Sequence, residues 1–274
     1  MEDATLSNTE YQAFCDFLEK SCGIVLGDNK QYLVSSRLKS ILASASLTGV
    51  ADLMKRMEFD SRLRAKVVDA MTTNETYWFR DSHPFKALRD VIFPELAERK
   101  LTRPRVWSAA SSTGQEPYTI SMMADEFMKR RAGQFMDVEI LATDISPSVL
   151  EVARLGEYDE LSVSRGLDQE ARQRYFTQQN QRWRVNEDIR RRVRFNELNL
   201  MSSFSSLGKF QIIFCRNVLI YFSSELKCDI IDRMANALEP NGYLFLGGSE
   251  SMASYSDRFE TVRYPGGLVY KVTK

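Results

Sequence analysis

Between Arg105 and Tyr118 the chain reads RVWSAASSTGQEPY, and few folds accommodate such a stretch. A β-prone run from Arg105 to Ser108 passes into small residues and Gly114, and Pro117 then opens a helical pattern from Tyr118 to Met128. Strand, tight turn and helix start, in that order, let a ligand approach bare backbone at the edge of an open α/β sheet. A second strand, Val138 to Thr143, ends in Asp144. An acidic side chain closing the second strand, one helix length after the first turn, suits the two hydroxyls of a ribose. The turn lacks the three-glycine spacing of the dinucleotide fingerprint, so taken alone it leaves an ordinary sheet loop open.

A chain of 274 residues has ample length for one large domain or two smaller ones. Lys and Arg (37) balance Asp and Glu (37), so no global field draws it to nucleic acid or to a membrane surface. The four cysteines, Cys15, Cys22, Cys215 and Cys228, form no CxxC pair and read as reduced thiols of a cytoplasmic protein. Met1 to Asn8 is polar and acidic, unlike a signal peptide, and no apolar run approaches the ~18 residues that a membrane span needs. A single histidine, His83, argues against most metal sites and against Ser-His or Cys-His catalysis. Any chemistry works without imidazole or borrows a cofactor, and no metal is expected.

From Ser7 to Ala70 the pattern is helical. Tyr11, Phe14, Phe17 and Leu18 share one face, Tyr32 to Leu42 form a second amphipathic helix broken at Gly49, and Leu63, Val67, Val68 and Met71 mark another. Residues 1–72 are therefore expected to form a helical N-terminal domain. Between Lys30 and Lys66 eight basic residues (Lys30, Arg37, Lys39, Lys55, Arg56, Arg62, Arg64, Lys66) face three acidic ones (Asp52, Glu58, Asp60), either a solvated surface or a docking face for an acidic helix. Residues 73–90 read as a linker. Asn74, Thr76 and Arg80 flank its aromatic run Tyr77-Trp78-Phe79, which predicts packing at a domain interface with polar groups held as pocket walls. Asp81 is placed to cap the helix that follows, with Pro84 in its first turn, and His83 reads as structural.

Strands then alternate with helices, which predicts a parallel sheet across 91–274. A segment of about 156–190 interrupts that rhythm and reads as an inserted subdomain. Between Arg172 and Arg194 it carries eight arginines against Glu187 and Asp188, a pattern that argues only weakly for nucleic acid. Val193 to Glu197 resumes the sheet, the first half of Phe210 to Phe222 is a fully buried central strand, and Asn217 falls just past its carboxyl end. A helix from Ser223 to Leu238 is stopped by Glu239-Pro240-Asn241-Gly242, and Tyr243 to Leu246 and Leu268 to Val272 close the sheet around a flexible turn at Gly247 to Ser251.

With these pieces in place the chain resembles the CheR family, the S-adenosylmethionine-dependent chemoreceptor glutamate methyltransferases of bacteria. The resemblance rests on NETYWFR (Asn74 to Arg80), RVWSAASSTGQEPY (Arg105 to Tyr118), ATDIS (Ala142 to Ser146), Asn199-Leu200 and FCRNVLIYF (Phe214 to Phe222). The stretch from Gly242 through Glu250 is similar to the family's closing segment. It implies a class I methyltransferase (Rossmann-like) α/β sheet with an all-helical N-terminal domain and a small inserted β-subdomain. It also implies that Asn74, Thr76 and Arg80 lie near the methionine end of the cofactor, that Glu116 holds its amino group and that Asp144 holds its ribose. Asn199 and Leu200 match the adenine-side contact, Asn217 and Val218 the pair after the fourth main strand, and Tyr221 lies close enough to position the substrate. Arg80 and Tyr221 are the implied catalytic residues. The implied partners are the methylation helices of chemoreceptors, met through Arg37, Lys39, Arg62 and Arg64 by a monomer that inserts into no membrane.

A glutamate carboxylate (reference pKa ~4.3) is already ionised at neutral pH, so methyl transfer to it needs no general base. Read on the residues alone, Asp144 and Glu116 remain open to helix-capping and first-turn roles, and Tyr221 to a core role. The hairpin from Thr177 to Trp183 is shorter than in relatives that bind a receptor's C-terminal peptide there, which leaves that tether open. Arg216-Asn217-Val218-Leu219 stands where amino-group methyltransferases carry an aromatic-proline signature, which favours oxygen as the acceptor. Competing readings are a carboxyl methyltransferase of another protein, a non-catalytic cofactor sensor on signalling arrays and, third, a nicotinamide oxidoreductase.

Overall fold

In the computed structural model, which describes residues 6–252, 255–264 and 266–273, the chain divides into two units. The smaller runs to Thr73 and takes in Tyr221–Leu226. It holds α1 (Asn8–Cys22), α2 (Gln31–Ser44), α3 (Val50–Phe59) and α4 (Ser61–Met71). Ser7 and Glu10 open α1 with a reciprocal capping box, and the Asp60 carboxylate accepts the Leu63 amide to open α4. Phe14, Leu18, Val34, Leu38, Leu53 and Val67 are fully buried, as helical spacing of apolar residues requires. Gly23 ends α1 in the left-handed region (φ 77°), where a Cβ would collide with Leu226. The Val25 amide donates to the Tyr221 carbonyl at 2.8 Å. The Arg37 guanidinium donates to the Met71 and Thr72 carbonyls and to Thr73 Oγ1 (2.6, 3.0 and 2.9 Å), so one of the basic residues serves as a brace.

The larger unit enters through α5 (His83–Ala87), a π turn (Leu88–Ile92) and α6 (Phe93–Glu98). There follow β1 (Arg105–Ala109), α7 (Gln115–Arg130), β2 (Glu139–Asp144) and α8 (Pro147–Leu155). The insertion comprises β3 (Glu157–Tyr158), α9 (Glu160–Ser164), α10 (Gln169–Tyr175), β4 (Phe176–Gln179), β5 (Arg182–Val185) and α11 (Glu187–Arg190). The chain then returns through β6 (Val193–Glu197), β7 (Phe210–Cys215), α12 (Ser224–Ala237), β8 (Leu238–Leu246), β9 (Phe259–Tyr264) and β10 (Gly267–Val272). The main sheet has the order β6-β2-β1-β7-β8-β10-β9, parallel from β6 to β8, with β10 and β9 antiparallel at one edge. Successive strands therefore run away from β1 on both sides, and the reversal falls between β1 and β7, where open sheets bind ligands at their carboxyl ends. Phe85, Phe214 and Phe245 stack through the core (centroids 5.9 and 4.4 Å apart), and on Trp107 the indole N–H reaches Thr143 Oγ1 at 2.9 Å.

Three local expectations need correction. Asp81 does not cap α5: Ser82 occupies the N-cap position with no side-chain bond, while the Asp81 carboxylate takes the Arg216 guanidinium at 2.7 Å. Charge pairing with a buried cation outweighs a helix cap. The Glu239 to Gly242 segment, expected as a loop, belongs to β8 and bulges from it. Pairing passes from Phe210↔Leu238 to Ile212↔Tyr243 while Asn241 turns left-handed (φ 61°). The strand β9 went unread because Glu260 and Arg263 break its apolar signal, as charges do on an exposed edge.

The aromatic run of the linker packs within this unit. Trp78 is fully buried, edge-on to Tyr158 and Phe176 of the inserted three-stranded sheet β3-β5-β4, both at 5.0 Å. Its amide donates to the Arg165 carbonyl at 3.3 Å, and the Arg165 side chain pairs with Glu75 at 2.6 Å. The arginine cluster is an internal lattice. Arg172 pairs with Glu160, Arg174 with Glu170, Arg184 with Glu157, Arg190 with Glu187 and Arg191 with Asp188. Arg192 reaches both Asp125 and Asp137, and Arg182 the Glu157 carbonyl.

Gly166 (φ 100°) lies so close to Trp78 that a Cβ would collide with the Trp78 carbonyl. Gly166→Ala adds left-handed strain to a clash with fixed backbone, and should cost about 3 kcal/mol in urea unfolding. The Tyr118 hydroxyl donates to the Ala153 carbonyl at 2.7 Å, and burial pushes its pKa to about 12. Because that exceeds the ~10 of the unfolded chain, its contribution is intact below pH ~10 and lost as pH rises towards 12. Melting curves of Tyr118→Phe should lose less stability than the parent across that window.

Candidate functional site

After β1 the backbone turns through two left-handed non-glycine residues, Ala110 (φ 56°) and Ser112 (φ 50°), before Gly114 (φ 96°) opens α7. Small side chains keep such a turn tolerable and leave its amides reachable. The Ser111 amide donates to the Thr143 carbonyl at 2.9 Å, and the Ser112 hydroxyl to the Asn74 carbonyl at 2.8 Å. This brings the linker against the turn. At the end of β2, Asp144 is only 5% exposed; its Oδ2 accepts the Ser112 amide (2.8 Å) and its Oδ1 the Ser146 amide (3.0 Å). The helix cap is instead Ser146, whose hydroxyl accepts the Val149 amide. Two amides thus help fix the Asp144 carboxylate, an acceptor-only group of the kind a ligand hydroxyl can donate to.

The second carboxylate is Glu116, in the first turn of α7. Its Oε1 accepts the Ser108 hydroxyl at 2.7 Å and its Oε2 meets Arg216 Nη1 at 3.0 Å. The Arg216 side chain is 2% exposed and also donates through Nη2 to Asp81 Oδ2 (2.7 Å) and the Arg80 carbonyl (2.9 Å). One guanidinium therefore ties the end of β7, the start of α7 and the linker together. Phe79, Asp81, Ser82, Ala110, Ser112 and Asn217 all have positive φ, so backbone strain gathers around these strand ends.

Arg80 is half-buried; its Nη1 donates to the Glu75 carbonyl at 2.9 Å and its guanidinium lies over the Tyr77 ring at 5.6 Å. Thr76 is half-buried on the same turn. Asn199 and Leu200 follow β6, whose Glu197 is in register with Asp144. Asn199 Oδ1 accepts the Met201 amide (3.0 Å), and Arg233 holds the Leu200 and Ser202 carbonyls (2.8 and 2.7 Å). Asn217 is left-handed (φ 59°), with a buried Oδ1 that has no hydrogen-bond partner among the described residues, and Val218 follows half-buried. Tyr221 belongs to the helical unit. The segment read as a flexible turn is anchored: Glu250 Oε2 accepts the Gly247 and Asn217 amides, both at 2.7 Å. Neither Arg216 nor Glu250 was singled out from sequence. The available signal was a charged residue directly after the buried strand β7 for Arg216, and an acid a few residues past the end of β8 for Glu250.

Two oriented carboxylates and two orphaned buried oxygens, Ser111 Oγ and Asn217 Oδ1, form an acceptor-rich set at the sheet's switch point. That set fits S-adenosylmethionine, which carries a ribose diol, an amino group and a positive sulfonium. The sheet and this site define a class I methyltransferase domain.

Two family models match the chain: the CheR methyltransferase SAM-binding domain over residues 74–267, and the CheR methyltransferase all-alpha domain over residues 9–72. Chemotaxis protein methyltransferase 1 of Vibrio cholerae serotype O1 is 49% identical over 276 residues, covering 99% of this chain and 100% of that protein. Its namesake in Pseudomonas aeruginosa is 50% identical over 97% of this chain and 98% of that protein. A chemotaxis protein methyltransferase of Salmonella typhimurium is 33% identical over 98% and 92%. The chain belongs to the CheR family of S-adenosylmethionine-dependent methyltransferases.

Arg216→Met would leave Glu116 and Asp81 partly buried without their cation. It should cost about 3 kcal/mol in urea unfolding and weaken S-adenosylmethionine binding in calorimetry. Arg216→Lys keeps the charge but not the fork, and should fall between the two.

Proposed function

We propose that this chain methylates glutamate side chains of bacterial chemoreceptors, giving glutamate γ-methyl esters and S-adenosylhomocysteine for sensory adaptation. What carries the reading is its likeness, nearly end to end, to chemotaxis protein methyltransferases, in a chain whose family motifs gather at the carboxyl ends of β1, β2 and β7. In this reading Asp144 accepts the ribose hydroxyls, Glu116 the amino group, and Asn199 and Leu200 flank the adenine. Asn74, Thr76, Asn217 and Val218 line the methionine end.

The cofactor supplies an electrophilic methyl group, which one glutamate oxygen attacks in line as the carbon–sulfur bond breaks. The protein's part is to align the two and exclude water. Arg80 orients the incoming carboxylate, for which its planar, permanently charged fork is suited. A tight grip would slow the reaction because the carboxylate loses charge in the transition state, so Arg80 positions the substrate and donates no proton. Tyr221 is assigned to help position the substrate.

The domain division assigned to this function is residues 1–72 for receptor docking, 73–90 for the linker and 91–274 for catalysis, with the insertion at about 156–190. The docking face is basic and meets the acidic methylation helices through Lys39 and Arg62, which are exposed, together with Arg64 and Arg37. Arg37 and Arg64 also hold backbone carbonyls within their own unit. The protein acts as a cytoplasmic monomer. No described helix is long and apolar enough to cross a membrane.

Tritiated methyl transferred from S-adenosylmethionine to chemoreceptor-rich membranes should be released as methanol by mild base, and Asp144→Ala should abolish it. Cofactor binding with no base-labile label would overturn the receptor substrate. Arg80→Ala should lower turnover by about 100-fold while the cofactor Kd stays within about threefold. Equal loss of both would remove Arg80 from its positioning role.

A further inference from the structure

The family motifs leave the loop after β8 without a task, yet its acid is among the most heavily engaged side chains near the site. Glu250 Oε2 accepts the amides of Gly247 and Asn217, both at 2.7 Å, and its Oε1 accepts the Ile220 amide at 3.3 Å. The Glu250 amide in turn donates to the Gly247 carbonyl at 2.9 Å, closing the loop on itself. Gly247 is compulsory at this junction. A Cβ there would lie 2.7 Å from Asn217 Nδ2, 2.7 Å from Glu250 Oε2 and 2.9 Å from the Asn217 amide nitrogen. Carboxylate, glycine and asparagine are therefore packed as one unit across the ends of β7 and β8, which pair side by side through Cys215↔Leu246.

Asn217 needs such a clamp. It holds a left-handed backbone (φ 59°), a conformation open to asparagine but not its resting preference. Its side-chain Oδ1 is buried and has no partner among the described residues, an arrangement that costs free energy unless a ligand donor completes it. Asn217 directly follows Arg216, whose guanidinium grips Glu116. Burial pushes the Cys215 thiol well up, with Glu250 and Glu116 adding to the shift in that order, so both carboxylates lie near the same strand end.

We propose that Glu250 is a positioning residue for methyl transfer: by binding the amides of Asn217, Gly247 and Ile220 it presets Asn217 Oδ1 as an acceptor for the cofactor's amino group. This rests on the assignment of the cofactor's methionine end to Asn217 and Glu116. A carboxylate suits the task because it accepts several amide hydrogens at once, and charge-assisted bonds of this kind are roughly twice as strong as neutral ones. Glutamine can supply one oxygen to the Gly247 and Asn217 amides but presents an NH2 group to Ile220, so it replaces part of the clamp.

The test compares Glu250→Ala, Glu250→Gln, Asn217→Ala and the double variant Glu250→Ala/Asn217→Ala in the full-length protein. Without cofactor, amide hydrogen exchange at residues 217–220 and 247–250 should rise by about tenfold or more in Glu250→Ala and by less in Glu250→Gln. On addition of S-adenosylhomocysteine, those segments should gain further protection in the parent and in Glu250→Gln but not in Glu250→Ala. Methyl transfer should fall about 30-fold in Glu250→Ala, recover largely in Glu250→Gln, and fall no further in the double variant than in the worse single one. Unchanged exchange in Glu250→Ala, or fully additive losses in the double variant, overturns the proposal. Failure of the parent protein to label receptors at all counts against the receptor reading instead. The exchange measurements still decide the clamp in that case.

Discussion

A guanidinium buried to 2% exposure organises the catalytic unit. Removing such a cation from water costs several kcal/mol, which is recovered only where geometry and partners are nearly complete. Arg216 meets Glu116, Asp81 and the Arg80 carbonyl, while its ring-facing side lies 5.6 Å from the Phe85 centroid. The partners come from two distant parts of the chain: the first turn of α7, and the linker on both sides of the Arg80–Asp81 peptide. The strand β7 therefore delivers a charge into the sheet's switch point, and the linker and α7 are folded around it. This explains why Asp81 abandons the helix cap its sequence position offered, and why the linker accepts positive φ at Phe79, Asp81 and Ser82.

The same economy governs the turn after β1. Asp144 is held by the amides of Ser112 and Ser146, so a carboxylate that could have been consumed as a helix cap is kept oriented while a serine takes over the capping. Ser112 also reaches the Asn74 carbonyl, which couples the acid closing β2 to the linker. An acid fixed in advance loses little freedom on binding, and a fixed pair of acids favours a ligand with a diol at one end and a cation at the other. The strained residues cluster where these constraints meet, as expected when the surrounding fold over-determines a few backbone conformations.

Much of this was legible in the sequence because it lies in runs with strong local signals. The buried strand Phe210 to Cys215, the small-residue turn and the acid closing β2 are periodicity and composition in plain form. The sheet class followed from their alternation with helices. What stayed hidden depends on partners far away in the chain. Nothing near Asp81 indicates that Arg216, 135 positions on, claims its carboxylate. Glu250 stands in a Gly-Gly-Ser-Glu stretch that reads locally as a flexible turn, and only the pairing of β7 with β8 brings the Asn217 amide to it. The edge strand β9 was missed for the opposite reason, since its charges are what an exposed edge requires and they mask the strand.

The insertion has a structural duty in addition to any binding role. Asn74 to Arg80 is linker in chain order, but Trp78 is enclosed by Tyr158 and Phe176 of the inserted sheet, and its main chain is pressed against Gly166. Arg165, just before Gly166 in the chain, accepts the Trp78 amide on its carbonyl and stacks its guanidinium on Tyr77 at 4.6 Å. Two residues after Trp78 comes Arg80, whose side chain shares that Tyr77 ring and whose carbonyl belongs to the Arg216 network. The position of Arg80 is thus fixed from one side by the sheet and from the other by the insertion. Loosening the aromatic contacts between the insertion and the linker would therefore release Trp78 and, two residues on, the carbonyl that Arg216 holds, so the insertion and the sheet are coupled through this one short segment.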